Sequence, residues 1–107
     1  MNDNGNTIIR LQRWYLDHCN GDWEHLFGFK LDNIDNPGWT FEVNLEESIL
    51  ENEQFESINI QRKDEDDWLR CLVKDRKFDA MGGPQNLEEM MSVFLDWYES
   101  VNEMKNV

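Results

Sequence analysis

The chain has 107 residues, which suits one domain with a modest core that needs no disulfide bridge. Its 23 acidic residues face only 10 lysines and arginines, giving a net charge of −13, and this argues against binding nucleic acid or an anionic membrane surface, because both require basic side chains against phosphate. No apolar run approaches the ~18 residues that span a bilayer, and the polar start MNDNGNT lacks the basic and then apolar order of a secretion signal, so a cytoplasmic location is expected.

The first predicted element is a helix. Thr7 can cap it, and its apolar positions recur three and four residues apart until about Asn20. Asn20-Gly21 stops the helix, because glycine adopts the left-handed conformation that ends many helices. Residues 1–6, which precede it, are polar and are expected to be disordered.

A hairpin is predicted next. Apolar and polar residues alternate over residues 27–32 and, more regularly, over residues 39–45. The D-N-P-G sequence at Asp35–Gly38 predicts a tight turn between the two runs, since Pro fixes its first central angle and Gly can supply a positive one. The two runs are therefore expected to pair as antiparallel strands.

Two further strands are expected at about residues 55–62 and at residues 68–73, joined by a charged turn over residues 63–67. Connections this short favour antiparallel neighbours, because parallel strands need long crossovers. Residues 46–54 form an acidic connection between the hairpin and the third strand.

A second helix closes the predicted fold. Gly82-Gly83-Pro84 breaks the preceding chain, and Asn86 with Glu89 resembles a capping box at the start of an amphipathic helix. The chain is therefore predicted to be one α+β domain over residues 1–107. Its core would be a four-stranded antiparallel meander, flanked by an N-terminal and a C-terminal helix packed on one face.

Residues 18–25, H-C-N-G-D-W-E-H, concentrate side chains that can bind metals. Zinc sites usually pair their ligands at fixed spacings, such as C-x-x-C with H-x₃₋₅-H, and this stretch has no such pair. No metal ligand or cofactor is therefore predicted, and a zinc-stabilised adaptor stays an alternative.

The same stretch contains a possible nucleophile in Cys19, with His25 as a possible base. However, the C-terminal end of a helix and the carboxylates of Asp22 and Glu24 would raise the pKa of the Cys19 thiol rather than lower it. A structural corner is therefore favoured, in which Asp22 caps local amides and Trp23 fills the edge of the core. No catalytic residue is predicted, and a small cysteine- or histidine-dependent enzyme is retained as an alternative.

Acidic residues are concentrated between residues 46 and 67, where Arg62 and Lys63 are the only cations. Charge runs are usually solvated surface, but an acidic face also favours fast association with a cationic protein. Trp68 lies on the strand face opposite Leu69 and is a possible interface anchor. The residues expected to contact a protein partner are Glu46, Glu47, Glu51, Glu53, Asp64, Glu65, Asp66, Asp67 and Trp68.

The motif L-x-x-W-Y-x-x-x-C-N-G-D-W-E-H, at Leu11–His25, followed by D-N-P-G-W, resembles the immunity protein 53 family of bacterial polymorphic toxin systems. Later segments, W-L-R-C-L-V, F-D-A-M-G-G-P and N-L-E-E-M-M-S-V-F-L-D-W, are also similar to it. The resemblance implies a small α+β cytoplasmic protein that binds and blocks a cognate toxin and has no cofactor or catalytic residue. The motif residues, expected to be structural, are Trp14, Cys19, Asn20, Gly21, Asp22, Trp23, Glu24, His25, Pro37, Gly38 and Trp39.

Overall fold

A computed structural model describes residues 6–105 of the chain. Its elements in chain order are α1 (Thr7–His18), α2 (Trp23–Leu26), β1 (Phe29–Ile34), β2 (Gly38–Asn44), β3 (Ile58–Gln61), β4 (Trp68–Lys74), β5 (Lys77–Gly82) and α3 (Leu87–Lys105). The α+β class, with helices near both ends of the described chain, is confirmed. In this part of the chain, no helix is both long and apolar enough to cross a membrane.

The sheet has five antiparallel strands in the order β1-β2-β5-β4-β3. The predicted four-stranded meander is therefore wrong in strand number and in neighbour order. The unpredicted strand, β5, lies in the centre of the sheet and separates β2 from β4. Its neighbours on both sides are strands that the alternation of the sequence did predict.

Two local features explain why the sequence did not predict β5. The turn before it consists of Asp75 and Arg76, which have φ values of 55° and 62°. Tight hairpins require such left-handed residues, but their usual signal is Asn-Gly or Asp-Gly. In addition, the inward positions after Phe78 are Ala80 and Gly82, and both residue types are poor strand formers.

Both long helices lie on one face of this sheet, as predicted. Phe94 of α3 lies 6.0 Å from Phe41 of β2 and 5.2 Å from Phe78 of β5, measured between ring centroids. Trp14 of α1 contacts Phe94 edge-on at 5.0 Å. The predicted stripe of α3 is buried: Met90, Met91, Phe94, Leu95, Tyr98 and Val101. The opposite face of the sheet carries no helix from the described residues and is called the open face below.

The connection at residues 45–57 crosses one end of the sheet, because β2 and β3 are separated by two strands. Leu45 and Leu50 of this connection are buried in the core. Phe55 packs edge-on against Trp97 at 5.0 Å. The third strand therefore begins at Ile58 rather than near residue 55, since Phe55 is held by the core.

The first helix begins at Thr7 and ends at His18, whereas the sequence predicted Thr7 as its cap and an end at about Asn20. Asn6 caps it, because its side-chain oxygen accepts a hydrogen bond from the N–H of Ile9 at 3.1 Å. Thr7 is buried instead and donates its hydroxyl to Glu88 of α3 at 2.9 Å. Of residues 1–6, which were predicted to be disordered, Asn6 is instead the cap of this helix, and residues 1–5 lie outside the described residues.

Candidate functional site: a groove on the open face

The C-N-G-D-W-E-H motif folds into a corner that starts α2. The side-chain oxygen of Asn20 accepts hydrogen bonds from the N–H groups of Asp22 and Trp23, both at 2.9 Å. The carboxylate of Glu24 accepts bonds from the N–H groups of Asn20 and Gly21, both at 2.8 Å. Asn20, rather than the predicted Asp22, is therefore the capping side chain. Hydrogen bonds from backbone N–H groups, including that of Glu24 itself, hold the pKa of the Glu24 carboxyl below its usual value.

Aromatic packing attaches this corner to the core. The indole of Trp23 is 1% exposed and meets Trp14 edge-on at a centroid distance of 5.5 Å. The ring of His18 lies 5.5 Å from Trp23, and its Nδ1 is 2.9 Å from the backbone carbonyl oxygen of Trp14. Trp23 and the neighbouring His18 therefore have packing roles.

The potentially reactive groups of the corner differ in their exposure to solvent. Cys19 is half-buried and His25 is exposed. The other thiol, Cys71, lies in the core, where burial raises its pKa to about 12 and makes it a poor nucleophile. Over residues 6–105, no three His, Cys, Asp or Glu side chains come close enough to hold a metal ion.

The D-N-P-G-W turn meets the G-G-P segment at one end of the sheet. A β-carbon on Gly38 would overlap the carbonyl oxygen of Gly82 on the neighbouring strand. Gly38 does not have the positive φ that the turn prediction assigned to it, so it is needed for close strand approach instead. Trp39 donates its indole N–H to the carbonyl oxygen of Pro84 at 3.3 Å, which ties the two segments together.

A groove of about 600 Å³ opens on the open face beside this junction. Gly83 pairs with Trp68 through a backbone hydrogen bond of 3.0 Å, and continuing the register of β2 with β5 places Gly38 opposite Gly83. Neither position has room for a β-carbon: one on Gly83 would overlap the carbonyl oxygen of Asp66 and crowd the Trp68 ring, so Asp66 and Trp68 pack directly against the backbone of Gly83. The residues that line the groove are Asn36, Pro37, Gln61, Glu65, Asp66, Trp68, Arg70 and Met81.

Trp68 is held in place from the helix side of the sheet. Its backbone N–H donates to the side-chain oxygen of Asn86, at 3.2 Å. The amide nitrogen of Asn86 then donates to Asp67 at 2.8 Å and to Glu89 at 3.0 Å. Glu89 therefore bonds the side chain of Asn86 rather than its backbone N–H, so the predicted capping box is replaced by a network.

Arg62 completes this network. Its guanidinium donates a hydrogen bond to Asp67 at 2.8 Å and one to each carboxylate oxygen of Glu89, at 3.0 and 2.8 Å. The hydrogen bond from Asn86, followed by that from Arg62, lowers the pKa of Asp67. The pKa of Glu89 is lowered mainly by its bond to Arg62. The turn that presents Trp68 is thus anchored to the first turn of α3.

The groove is lined mostly by polar and charged groups, and its apolar residues are Pro37, Trp68 and Met81. The guanidinium of Arg70 lies 5.8 Å from the centre of the Trp68 ring, a cation–π arrangement. Met81 occupies the sheet position next to Arg70 on β5. Glu65 and Asp66 form one edge, and neither is in an ion pair within residues 6–105.

The predicted contact residues fall into two groups at opposite ends of α3. Asp64–Trp68 lies beside the first turn of the helix. The Glu46–Glu53 group reaches the last turn of the helix through Glu53, which pairs with Lys105 at 3.1 Å. The 19 residues of α3 span about 28 Å, so the groups are far apart. Some of these acids are already engaged: Glu51 lies 3.8 Å from Arg76, and Asp67 belongs to the Arg62 network.

Sequence reasoning missed the other residues that line the groove, namely Asn36, Gln61, Arg70 and Met81. Alternation along β4 could have placed Arg70 on the same face as Trp68. Recognition of β5 would have been needed to place Met81 beside them.

Comparison with protein families matches residues 8–99 to the model of immunity protein 53. No curated protein and no solved structure gave a match. The matched range contains both turn motifs, the groove and most of α3. The chain belongs to the immunity protein 53 family.

Proposed function

We propose that this protein neutralises a cognate bacterial toxin in the cytoplasm by binding it non-covalently and covering its active or substrate-binding surface. The observation that carries the proposal is the family match over residues 8–99. No chemistry of the chain itself is required, because an inhibitor of this kind acts by occupying a surface. The proposal includes neither a cofactor nor a catalytic residue.

The charge of the chain supports a cationic toxin surface as the target. A net charge of −13 creates a field that accelerates encounter with a basic protein and makes the association sensitive to salt. Toxins that act on nucleic acid need basic surfaces, since they bind phosphate. An acidic protein can compete with that substrate for the same surface.

The groove on the open face is the proposed centre of contact. Interfaces derive most of their affinity from a few central anchors, in which Trp and Arg are enriched. Trp68 and Arg70 lie side by side here, and Asn86 holds the Trp68 backbone in position before any partner binds. A pre-positioned anchor loses little conformational entropy on binding.

Glu65 and Asp66 are the acids proposed to meet basic side chains of the toxin at the edge of this centre. The acids at Glu46–Glu53 lie towards the far end of α3, a helix about 28 Å long, and one partner's side of a standard interface of about 800 Å² is about as wide as this helix is long. A contact of this width centred on Trp68 extends only about half a helix length to each side, so that second group lies outside it and its main contribution is to steer approach.

Co-expression tests the proposal directly. The toxin domain encoded by the neighbouring gene should arrest growth alone, and this chain should restore growth and co-purify with the toxin. A variant of the proposed contact, with Trp68→Ala and Asp66→Lys, should fold but protect less than the intact chain. If the intact chain gives neither rescue nor a complex, the proposal fails.

A further inference from the structure

The outer edge of the sheet at β1 presents an unpaired strand. β1 is six residues long and has only β2 as a neighbour among the described strands. The N–H of Asn44 donates to the carbonyl oxygen of Gly28 at 2.9 Å, and this fixes Lys30 and Asp32 as residues whose backbone groups bond β2. The backbone groups of Phe29, Leu31 and Asn33 therefore point away from β2, on the side where a further strand could pair.

We infer that this edge joins two copies of the chain into a symmetric dimer, in which β1 pairs antiparallel with β1 of the second copy, centred on Leu31. In this register, Leu31 faces Leu31 and Phe29 faces Asn33, and each pair exchanges both backbone hydrogen bonds. The sheet then continues from one copy into the other.

Charge complementarity selects the centred register. Lys30 lies opposite Asp32 of the second copy, and Asp32 lies opposite its Lys30, on the open face. These are non-hydrogen-bonded pairs, in which side chains approach most closely. A shift by two residues in either direction places Lys30 against Lys30 or Asp32 against Asp32. Neither side chain has an ion-pair partner inside its own chain over residues 6–105.

The apolar side chains at this edge fit the same arrangement. Leu31 is 41% exposed although it projects towards the helix-bearing face, where Tyr15 contacts the ring of Phe29 at 6.0 Å. Pairing would bury the two Leu31 side chains against each other. The opposite edge strand, β3, has four residues (Ile58–Gln61) and no charged side chain, so it has no comparable register signal.

The area buried by one strand pair is small, so the dimer should dissociate on dilution. Sedimentation equilibrium from low-micromolar to millimolar concentration should show a mass that rises from 12.9 kDa towards twice that value. Lys30→Asp and Asp32→Lys should each dimerise more weakly when alone, because each places like charges opposite one another. Like charges in two facing pairs are expected to weaken dimerisation about tenfold or more.

Mixing provides the decisive measurement. Equimolar Lys30→Asp and Asp32→Lys chains should form a heterodimer, since both facing pairs are then complementary, and the double variant should self-associate as the wild type does. Asp79→Lys is the matched control, because Asp79 is exposed on the same face but lies on the central strand β5. A wild type that stays monomeric at millimolar concentration, single variants that dimerise normally, or a mixture that fails to associate would each overturn the inference. Recovery in the mixture also shows that the single variants fold.

Discussion

The side-chain oxygen of Asn86 accepts a hydrogen bond from the backbone N–H of Trp68 at 3.2 Å, across the first turn of α3. Asn86 is 2% exposed, and its amide nitrogen bonds two carboxylates as well. One buried amide thus connects the groove on the open face to the helix on the opposite face.

Asn86→Ala should lower the free energy of unfolding by about 2 kcal/mol, because it removes three hydrogen bonds and leaves the Trp68 N–H without its partner. Urea denaturation measures the change. Gln85→Ala is the control, since Gln85 is exposed and makes a single 3.3 Å bond to Asp64, so its effect should stay within about 0.5 kcal/mol. Equal effects of the two variants would show that the Asn86 network does not stabilise the fold.

The ion-pair network should make stability depend on acid pH. Because Arg62 lowers the pKa of Glu89 in the folded state, ionised Glu89 stabilises the fold above its unfolded pKa of about 4.3. This contribution is lost as pH falls through the lowered folded pKa. Glu89→Gln should therefore flatten the decline of stability between neutral pH and about pH 3.

Thermal melts across this pH range test the network. Glu103→Gln, at an exposed position of the same helix, should keep the wild-type slope. If Glu89→Gln and the wild type lose stability in parallel on acidification, the assignment of this pH dependence to the Arg62 pair is wrong.

Cys19→Ala should leave toxin binding within about threefold of wild type, because Cys19 lies in the packed corner and not in the groove. Protection of toxin-expressing cells and calorimetric affinity both measure this. A variant that folds normally but no longer protects would favour chemistry at Cys19, the alternative that the sequence left open.

Charge reversal should separate the two acidic groups. Glu65→Lys with Asp66→Lys should slow toxin association about tenfold at low salt and reduce its salt dependence. Glu46→Lys with Glu47→Lys changes net charge by the same amount at the far end of α3, and should slow association only about twofold. Stopped-flow mixing measures both rates. Equal slowing would mean that only net charge matters, and slowing by the second pair alone would move the contact to residues 46–53.

The sequence predicted the elements whose local signals agree with their final environment. Apolar spacing identified both long helices, and strict alternation identified β2 and β4, because each has one buried face and one more accessible face, half-buried in β2 and largely exposed in β4. β5 was missed since Asp75 and Arg76 adopt left-handed conformations without the usual Asn or Gly. Its inward Ala80 and Gly82 also lack the bulk that normally reveals a strand.

The groove was less predictable, because it depends on relationships between distant segments. Trp68 was correctly placed on the strand face opposite Leu69, and that face proved to be the open face. Trp68 and the Asp66 backbone can lie against Gly83 only because that residue has no side chain, and no local sequence pattern reports their approach. Likewise, residues 46–67 form one acidic run in the sequence. The connection at residues 45–57 crosses one end of the sheet, so the two groups of acids lie near different ends of α3.

The most direct test of the account is the affinity of the purified toxin domain for Trp68→Ala, measured by calorimetry beside wild type and Leu72→Ala. Leu72 is the matched control, since it lies on the open face of the same strand but outside the groove. We expect one-to-one binding by wild type, a loss of about thirtyfold for Trp68→Ala, corresponding to about 2 kcal/mol at an interface anchor, and a change within about threefold for Leu72→Ala. Unchanged affinity in a correctly folded Trp68→Ala variant would contradict the assignment of the groove as the centre of toxin contact.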